Sequence, residues 1–194
     1  MIDNEYWKFT DLDRVSKLYP DASEVLNQTL RYYLKLDGAC TSIRNRQGTI
    51  LLASRNNAVA PESMRLSFES VDHYDNIQRM ARNRPAEYFF GELLQKGSSP
   101  TKIERHEKNY WIGFNIRNHD GTWMPMRKAY KIFKEYDIPV APIIWEGMVT
   151  TLDELYTLDN QIKELMKQRN REGAVAKTNA VSYTHLTLPT ICSV

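Results

Sequence analysis

The stretch YYLKLDGACTSI, residues 32–43, contains one lysine, Lys35, directly after a run of bulky residues whose composition suits a buried strand. The Asp37-Gly38 pair that follows is a turn signal, and Cys40–Ile43 has the composition of a second strand. Glycine at such a turn lets another backbone or a phosphate approach. An ammonium against apolar walls loses hydration, which lowers its pKa and favours the nucleophilic amine. A plain hairpin whose lysine reaches solvent explains the same residues, so the motif needs support from elsewhere in the chain.

The composition excludes several classes of protein. The chain has 194 residues, of which 42% are hydrophobic and 26% charged, enough for one domain with a sizeable core. The net charge of +2 limits nucleic-acid contacts to local patches. No apolar run reaches membrane-spanning length, and the N-terminus does not resemble a signal peptide. Two cysteines, Cys40 and Cys192, provide no disulfide framework, so a reducing cytoplasm is predicted.

The hydrophobic pattern predicts strands and helices in a mixed order. Strands are predicted at 30–36, 40–46, 49–54, 86–94, 110–117, 140–145 and 171–177. Helices are predicted at 11–18, 62–82, 125–136 and 151–169, the last opened by a capping box at Thr151–Glu154. Residues 96–108 are predicted to be an exposed loop, and His73, His106 and His119, which lack metal-ligand spacing, to be surface residues. This order indicates an α+β fold of antiparallel hairpins with helices packed outside.

The end of the chain differs in composition from the rest. Residues 181–194 contain no Lys, Arg, Asp or Glu. The run VSYTHLTLPT within them resembles one reading frame of a sequencing adapter, so 181–194 is predicted to be a non-native tail and is left out of the fold prediction. A genuine Thr-rich final strand is the alternative. On the first interpretation, the native sequence continues past Ala180.

Three polar strings interrupt apolar strands, and each pairs a glycine with an ionisable residue. They are Lys35-Leu36-Asp37-Gly38, Phe90-Gly91-Glu92 and Glu172-Gly173-Ala174-Val175. In this order, and with Arg55 after the first hairpin, they resemble motifs I, III and IV of the covalent nucleotidyltransferases: ATP-dependent DNA and RNA ligases and mRNA capping enzymes. The resemblance covers about residues 30–177. The segment 138–155, and the lack of a large DNA-binding domain ahead of Lys35, make the chain more similar to the RNA ligase domain family.

The resemblance implies a fold and a reaction. It predicts a nucleotidyltransferase (ATP-grasp-like ligase adenylation) domain over residues 1–180, built of antiparallel sheets with packed helices and truncated at its C-terminal end. In this superfamily a lysine attacks the α-phosphate of ATP, and the resulting lysyl-AMP passes its AMP to a 5′-phosphate end, which is then joined to a 3′-hydroxyl. The implied cofactors are ATP and Mg²⁺ or Mn²⁺. The implied partner is RNA with such ends, bound by a monomeric, cytoplasmic protein that does not associate with membranes.

The resemblance also implies a role for each matching residue. Lys35 is the expected nucleophile. The expected nucleotide-binding residues are Asp37, Gly38, Arg55, Phe90, Glu92, Glu172 and Lys177. Among these, Glu92 and Glu172 would also hold the metal, and Phe90 would stack on the nucleobase. Arg55 would contact the sugar or the incoming 5′-phosphate, and Lys177 a phosphate.

Departures from the family pattern keep alternatives open. Leu34 stands where many RNA ligases have an acid, Asp37 resembles DNA ligases and capping enzymes, and Asn115 replaces a frequent aspartate. The paired lysines of motif V are absent. A DNA ligase, a GTP-dependent capping guanylyltransferase, and a non-catalytic nucleic-acid-binding protein of the same fold are therefore the alternatives. AMP, GMP or nothing attached to the protein would distinguish these functions.

Overall fold

The computed structural model describes residues 25–178, together with the backbone of two short strands, Asp13–Arg14 and Leu186–Thr187. The predicted helix at 11–18 and the predicted tail at 181–194 otherwise lie outside the described residues. Two compact units are present. In the described part, the first unit comprises Gly38–Pro100 and Arg105–Val140, and the second comprises 25–37, Thr101–Glu104 and 141–178 together with the two short strands. Nothing in the sequence indicated this division.

The described elements confirm the predicted mixture of strands and helices. In chain order they are β1 (Asp13–Arg14), β2 (Thr29–Lys35), β3 (Ala39–Arg46), β4 (Thr49–Ser54), α1 (Glu62–Glu69), α2 (Tyr74–Asn83), β5 (Tyr88–Leu94), β6 (Tyr110–Arg117), α3 (Met126–Glu135), β7 (Ile143–Met148), α4 (Leu152–Gln168), β8 (Gly173–Thr178) and β9 (Leu186–Thr187). No helix in the described part of the chain is long and apolar enough to cross a membrane. The fold is α+β, as predicted.

The first unit contains a four-stranded antiparallel sheet in the order β4-β3-β5-β6. Alternate residues of each strand point to one side, where Phe89 and Trp111 join apolar residues of α2 and α3 in one core. The single helix predicted at 62–82 is two helices, because the chain turns at Ser70–His73 and buries Val71 in this core.

His73 is not the surface residue that its spacing predicted. Its Nε2 lies 2.7 Å from the carbonyl oxygen of Trp111 and, since a carbonyl only accepts, must donate the hydrogen bond. Burial lowers the pKa of His73. His73 therefore takes part in the packing of the first unit instead of lying on its surface.

The second unit is built on a sheet in the order β1-β9-β8-β2-β7, in which β2 pairs with β8 on one side and β7 on the other, both antiparallel. Leu30 and Tyr32 of β2 pack on one face against Leu155 and Ile162 of α4. The hairpin suggested by the turn at Asp37-Gly38 is wrong, because the strands before and after it belong to different sheets. Burial of the alternating apolar residues, rather than the local turn, selected the partners of β2.

Helix α4 begins as its capping box predicted. Thr151 is the N-cap, and its side chain accepts a hydrogen bond from the backbone N–H of Glu154 at 3.2 Å. In return, the Glu154 carboxylate accepts from the backbone and hydroxyl of Thr150, which lowers the pKa of Glu154. This cap fixes where the helix that covers the sheet begins.

Two local predictions need correction. The buried strand predicted at 140–145 is β7, which begins three residues later at Ile143 and lies at a sheet edge with much of its surface exposed. An edge strand has a neighbour on one side only, so its side chains are covered less than an apolar run suggests. The loop predicted at 96–108 is closed by a bridge between Lys96 and His106, and its middle residues, Thr101–Glu104, pack with the second unit.

Candidate active site

Lys35 and Glu172 form an ion pair at the end of the central β2–β8 ladder. Lys35 is the last residue of β2 and stands opposite Gly173, so the side chain of the preceding Glu172 meets the lysine amine. The carboxylate is 8% exposed and the lysine side chain 26%. Because the two residues are 137 positions apart, only the pairing of their strands brings them together. The structure thus joins the predicted nucleophile to one of the two predicted metal ligands.

The carboxylate of Asp37 is buried and held by the protein. It accepts one hydrogen bond from the backbone N–H of Thr101 at 3.0 Å and another from the Thr101 hydroxyl. Asp37 is 1% exposed, and the structure shows its carboxylate in contact with Thr101. Its contact with a nucleotide stays a prediction. Sequence reasoning missed Thr101, because a threonine in a polar loop carries no signal for a partner 64 positions away.

Lys177 lies on the same sheet as Lys35, with its ammonium 5.5 Å from the ring centroid of Tyr33. Arg31 is opposite Lys177 in the ladder and donates two hydrogen bonds, of 2.8 and 2.7 Å, to Glu146. Arg31, Tyr33 and Lys35 alternate along β2 and therefore share one face. Burial raises the pKa of the Tyr33 phenol.

This face of β2 and its neighbours, which we call the cationic face, is chemically suited to an anion. Its described residues include the cations Arg31, Lys35 and Lys177 and the carboxylates Glu146 and Glu172. Arg31 and Lys177 are at most 7% exposed, and buried cations favour a counter-charge. A phosphate group is an anion of this kind.

In the first unit, Gly38 allows the backbone of β5 to approach. A Cβ at this position would lie 2.7 Å from the carbonyl oxygen of Leu93 and 2.9 Å from Cγ of Glu92. The neighbour that requires glycine is therefore protein rather than a phosphate. Gly91 is required for a similar reason, since the ring of Trp111 occupies the space that its Cβ would need. Its place inside a strand suggested a nearby ligand, but the close neighbour is this ring.

We expect Gly38→Ala to lower the free energy of unfolding by roughly 1–3 kcal/mol, because a backbone oxygen cannot move aside as a flexible side chain can. Urea unfolding measures the change. Gly48→Asn is the control for steric contact: it adds a Cβ where no atom lies within 4 Å, so its cost is only the backbone strain at a φ of 86°, which asparagine bears better than most residues, and it should lower stability less than Gly38→Ala. Equal stability of the two variants would contradict the close approach at Gly38.

The other predicted residues of the first unit lie on β5 and after β4. Phe90 is 1% exposed, with its ring centroid 5.1 Å from that of Trp123, and Glu92 is half-buried two residues further on the same side of the strand. Arg55 is exposed in the turn that follows β4. Sequence reasoning missed Trp123, which follows an ordinary turn signal.

The predicted site residues thus divide between the two units. Lys35, Asp37, Glu172 and Lys177 belong to the second unit, and Gly38, Arg55, Phe90 and Glu92 to the first. Within the units, the structure brings Lys35 to Glu172 and Gly38 to Glu92. Over the described residues, no group of three or more His, Cys, Asp or Glu side chains is gathered as a ready metal cage.

Comparison with known proteins identifies the family of this chain and its fold. A family model described as RNA ligase matches residues 33–185. An archaeal ATP-dependent RNA ligase (form 1) is 17% identical with a TM-score of 0.75, covering 95% of this chain and 48% of its own. A mutant of Naegleria gruberi RNA ligase with ATP and Mn is 18% identical with a TM-score of 0.75, covering 96% and 56%. A putative ATP-dependent DNA ligase from Aquifex aeolicus is 16% identical with a TM-score of 0.72, covering 94% and 49%.

The coverage and the identity of these matches determine what they establish about this chain. This chain spans about half the length of the solved chains it matches. At identities of 16 to 18%, the likeness to them establishes the fold. A search of curated protein sequences found no significant match.

Proposed function

This chain belongs to the RNA ligase family, and from this premise we propose that it is an ATP-dependent RNA ligase-like adenylyltransferase. In this proposal Lys35 takes AMP from ATP as a covalent lysyl-AMP and passes it to the 5′-phosphate end of an RNA, which is then joined to a 3′-hydroxyl. The observation that carries the proposal is the Lys35–Glu172 pair on the cationic face. Monomeric state and cytoplasmic location belong to the same proposal.

The proposed first step is an in-line substitution at phosphorus. The Lys35 Nζ attacks the α-phosphorus of ATP, so that a P–N bond forms while the bond from phosphorus to the pyrophosphate oxygen breaks. The ammonium must first lose a proton, because only the neutral amine has a free electron pair. Glu172 contacts Nζ and is the acceptor in place for that proton. Its carboxylate also holds the amine at the end of β2.

Charge neutralisation is the second contribution that the residues of this chain make. Phosphoryl transfer is catalysed mainly by positioning and by compensation of the phosphate charge. We assign that role to Lys177, which lies on the cationic face with Arg31 next to it. The bound AMP and the departing pyrophosphate are both anions, so they benefit from the same cations.

The other residues of the matching motifs are the proposed contacts to the rest of the nucleotide. Phe90 is the proposed stacking residue for the nucleobase; it is 1% exposed and its ring packs against that of Trp123, so stacking would require this ring pair to open. We assign to Glu92, two residues from Phe90, the acceptance of hydrogen bonds from the ribose hydroxyls. Arg55, exposed after β4, would contact the sugar or the 5′-phosphate of the RNA.

The donor set fits a divalent cation, and the structure of the Naegleria ligase with ATP and Mn supports the proposal. Mg²⁺ binds through one or two carboxylates together with substrate phosphates, so a complete protein cage is not required. We propose Glu92 and Glu172, the acids of the two matching motifs, as the carboxylates that contribute oxygens to it. When bound, the metal would add positive charge against the phosphates.

The test is covalent labelling. The purified protein is incubated with ATP or GTP and Mg²⁺ or Mn²⁺, and its intact mass is measured. We expect an adduct of one AMP on Lys35, which 5′-phosphorylated RNA then removes. A GMP adduct would favour a capping guanylyltransferase, and transfer to DNA rather than RNA would favour a DNA ligase. A folded protein that acquires neither nucleotide would favour the non-catalytic alternative.

A further inference from the structure

We infer that the segment Thr101–Glu104, here called the strap, is a positioning element that sets the geometry of the Lys35–Glu172 pair. The inference rests on the proposed function for its kinetic consequences. The strap lies in the middle of a loop predicted to be exposed, yet it packs with the second unit. It contacts Asp37, which follows Lys35 in the chain, and Arg171, which precedes Glu172.

One end of the strap holds the segment that follows Lys35. Thr101 donates from its backbone N–H, at 3.0 Å, and from its hydroxyl to the two oxygens of the Asp37 carboxylate. Asp37 is two residues beyond Lys35 and is buried. Two hydrogen bonds to a buried carboxylate fix its position and orientation, and hence the course of the backbone after the lysine.

The other end of the strap holds the segment that precedes Glu172. The Glu104 carboxylate accepts a hydrogen bond of 2.6 Å from the guanidinium of Arg171. The Glu104 side chain is 13% exposed and that of Arg171 is 42% exposed. Arg171 is the residue directly before Glu172, so this pair restrains the carboxylate that meets Lys35.

The ladder between β2 and β8 explains why such a restraint is needed. Lys35 opposite Gly173 is the final pair of that ladder. Beyond it, ladder hydrogen bonds no longer hold the two segments, although Asp37 and Glu172 both lie there. The strap continues the connection with side-chain contacts where the backbone pairing stops.

The strap is also compact enough to act as one body. Its two anchors are only three residues apart, and Lys102 between them adopts a left-handed backbone with φ of 61°. The N–H of Ile103 donates to the Thr101 hydroxyl oxygen at 3.3 Å, which ties the turn to its first anchor. A shift of Thr101 is therefore transmitted to Glu104 and then to Arg171.

Thr101→Val tests the inference, because valine has the shape of threonine without the hydroxyl. Thr101→Ser keeps the hydroxyl and serves as the rescue, and Glu104→Gln weakens the opposite anchor. Thr122→Val is the control: in an exposed turn of the first unit, Thr122 also donates from its backbone N–H, at 2.9 Å, and from its hydroxyl, at 2.6 Å, to a carboxylate, there to the single oxygen Oδ1 of Asp120.

The first measurement is single-turnover labelling with ATP and Mn²⁺, which separates the rate constant from the final fraction labelled. We expect Thr101→Val and Glu104→Gln to lower the rate constant by about tenfold, as loss of one hydrogen bond to a charged group does, with the final fraction unchanged. Thr101→Ser and Thr122→Val should label at the wild-type rate. A purely structural role would lower the final fraction and leave the rate constant as it is.

The second measurement, amide hydrogen exchange, does not depend on activity. Thr101→Val should accelerate exchange in peptides covering 36–40 and 170–174, and Thr122→Val should not. If the wild type acquires no AMP, the proposed function fails, and exchange alone decides whether the strap clamps the two segments. Unchanged exchange in both peptides, or a wild-type labelling rate in Thr101→Val, would overturn the inference.

Discussion

Lys35→Ala and Lys35→Arg are both expected to abolish AMP attachment. Alanine has no amine, and the guanidinium of arginine stays protonated and is not a nucleophile. The two variants differ in stability. Arginine keeps a cation against the buried Glu172, whereas alanine leaves that carboxylate without the Lys35 ammonium, a loss of about 1–3 kcal/mol. Intact mass after incubation with ATP and Mn²⁺, together with Tm, measures both effects.

Lys163→Ala is the matched control for the loss of an ion pair. Lys163 of α4 lies 2.8 Å from Asp159, whose carboxylate is fully buried, in the same unit as Lys35. Its removal should lower Tm while each folded molecule still acquires one AMP. An AMP adduct on Lys35→Arg as abundant as on the wild type would refute the assignment of Lys35 as nucleophile.

Glu172→Gln is expected to slow AMP attachment by roughly 10²–10³-fold, the usual loss when a preorganised electrostatic contact at a reacting centre is removed. Glutamine keeps the shape of the side chain but neither accepts the amine proton nor attracts a cation. Stability should change less than rate, because the amide oxygen of glutamine still accepts a hydrogen bond from Lys35. Single-turnover labelling and urea unfolding measure the two quantities.

The exposed Glu164 of α4 provides the control, since Glu164→Gln removes the same charge from the same unit away from the ion pair. It should label at the wild-type rate. If Glu172→Gln instead unfolds while its folded fraction labels normally, Glu172 is a structural residue and its place in the proposed mechanism is wrong.

Local patterns were sufficient for much of the fold. The strands that contain Lys35 and Phe90, the strand that begins directly after Glu172, and helix α4 with its capping box lie within a few residues of their predicted bounds. Such features depend on side-chain periodicity, turn residues and caps, all of which act over a few positions along the chain. The order of the three polar strings, also readable from the sequence, indicated the family that the match over 33–185 shows.

Local patterns failed where packing at a distance decides. The chain breaks between α1 and α2 because the core accepts Val71 there, and β7 is exposed because it lies at an edge. The glycines at 38 and 91 suggest places for a ligand, but each is required by a neighbouring part of the protein. Steric requirements of this kind depend on which strands become neighbours, and the composition around a glycine does not indicate its neighbours in space.

The sequence by itself determined the α+β class, the strand that carries Lys35, and the residue types available for chemistry. Only the tertiary structure decided that β2 pairs with β8 rather than β3, which places Glu172 on the lysine amine. It also decided that Thr101 and Glu104 hold Asp37 and Arg171. The physical reason is that strand partners and buried ion pairs are selected by the burial of whole faces and by charge compensation between segments far apart in the chain, whereas periodicity and turns report only on neighbours.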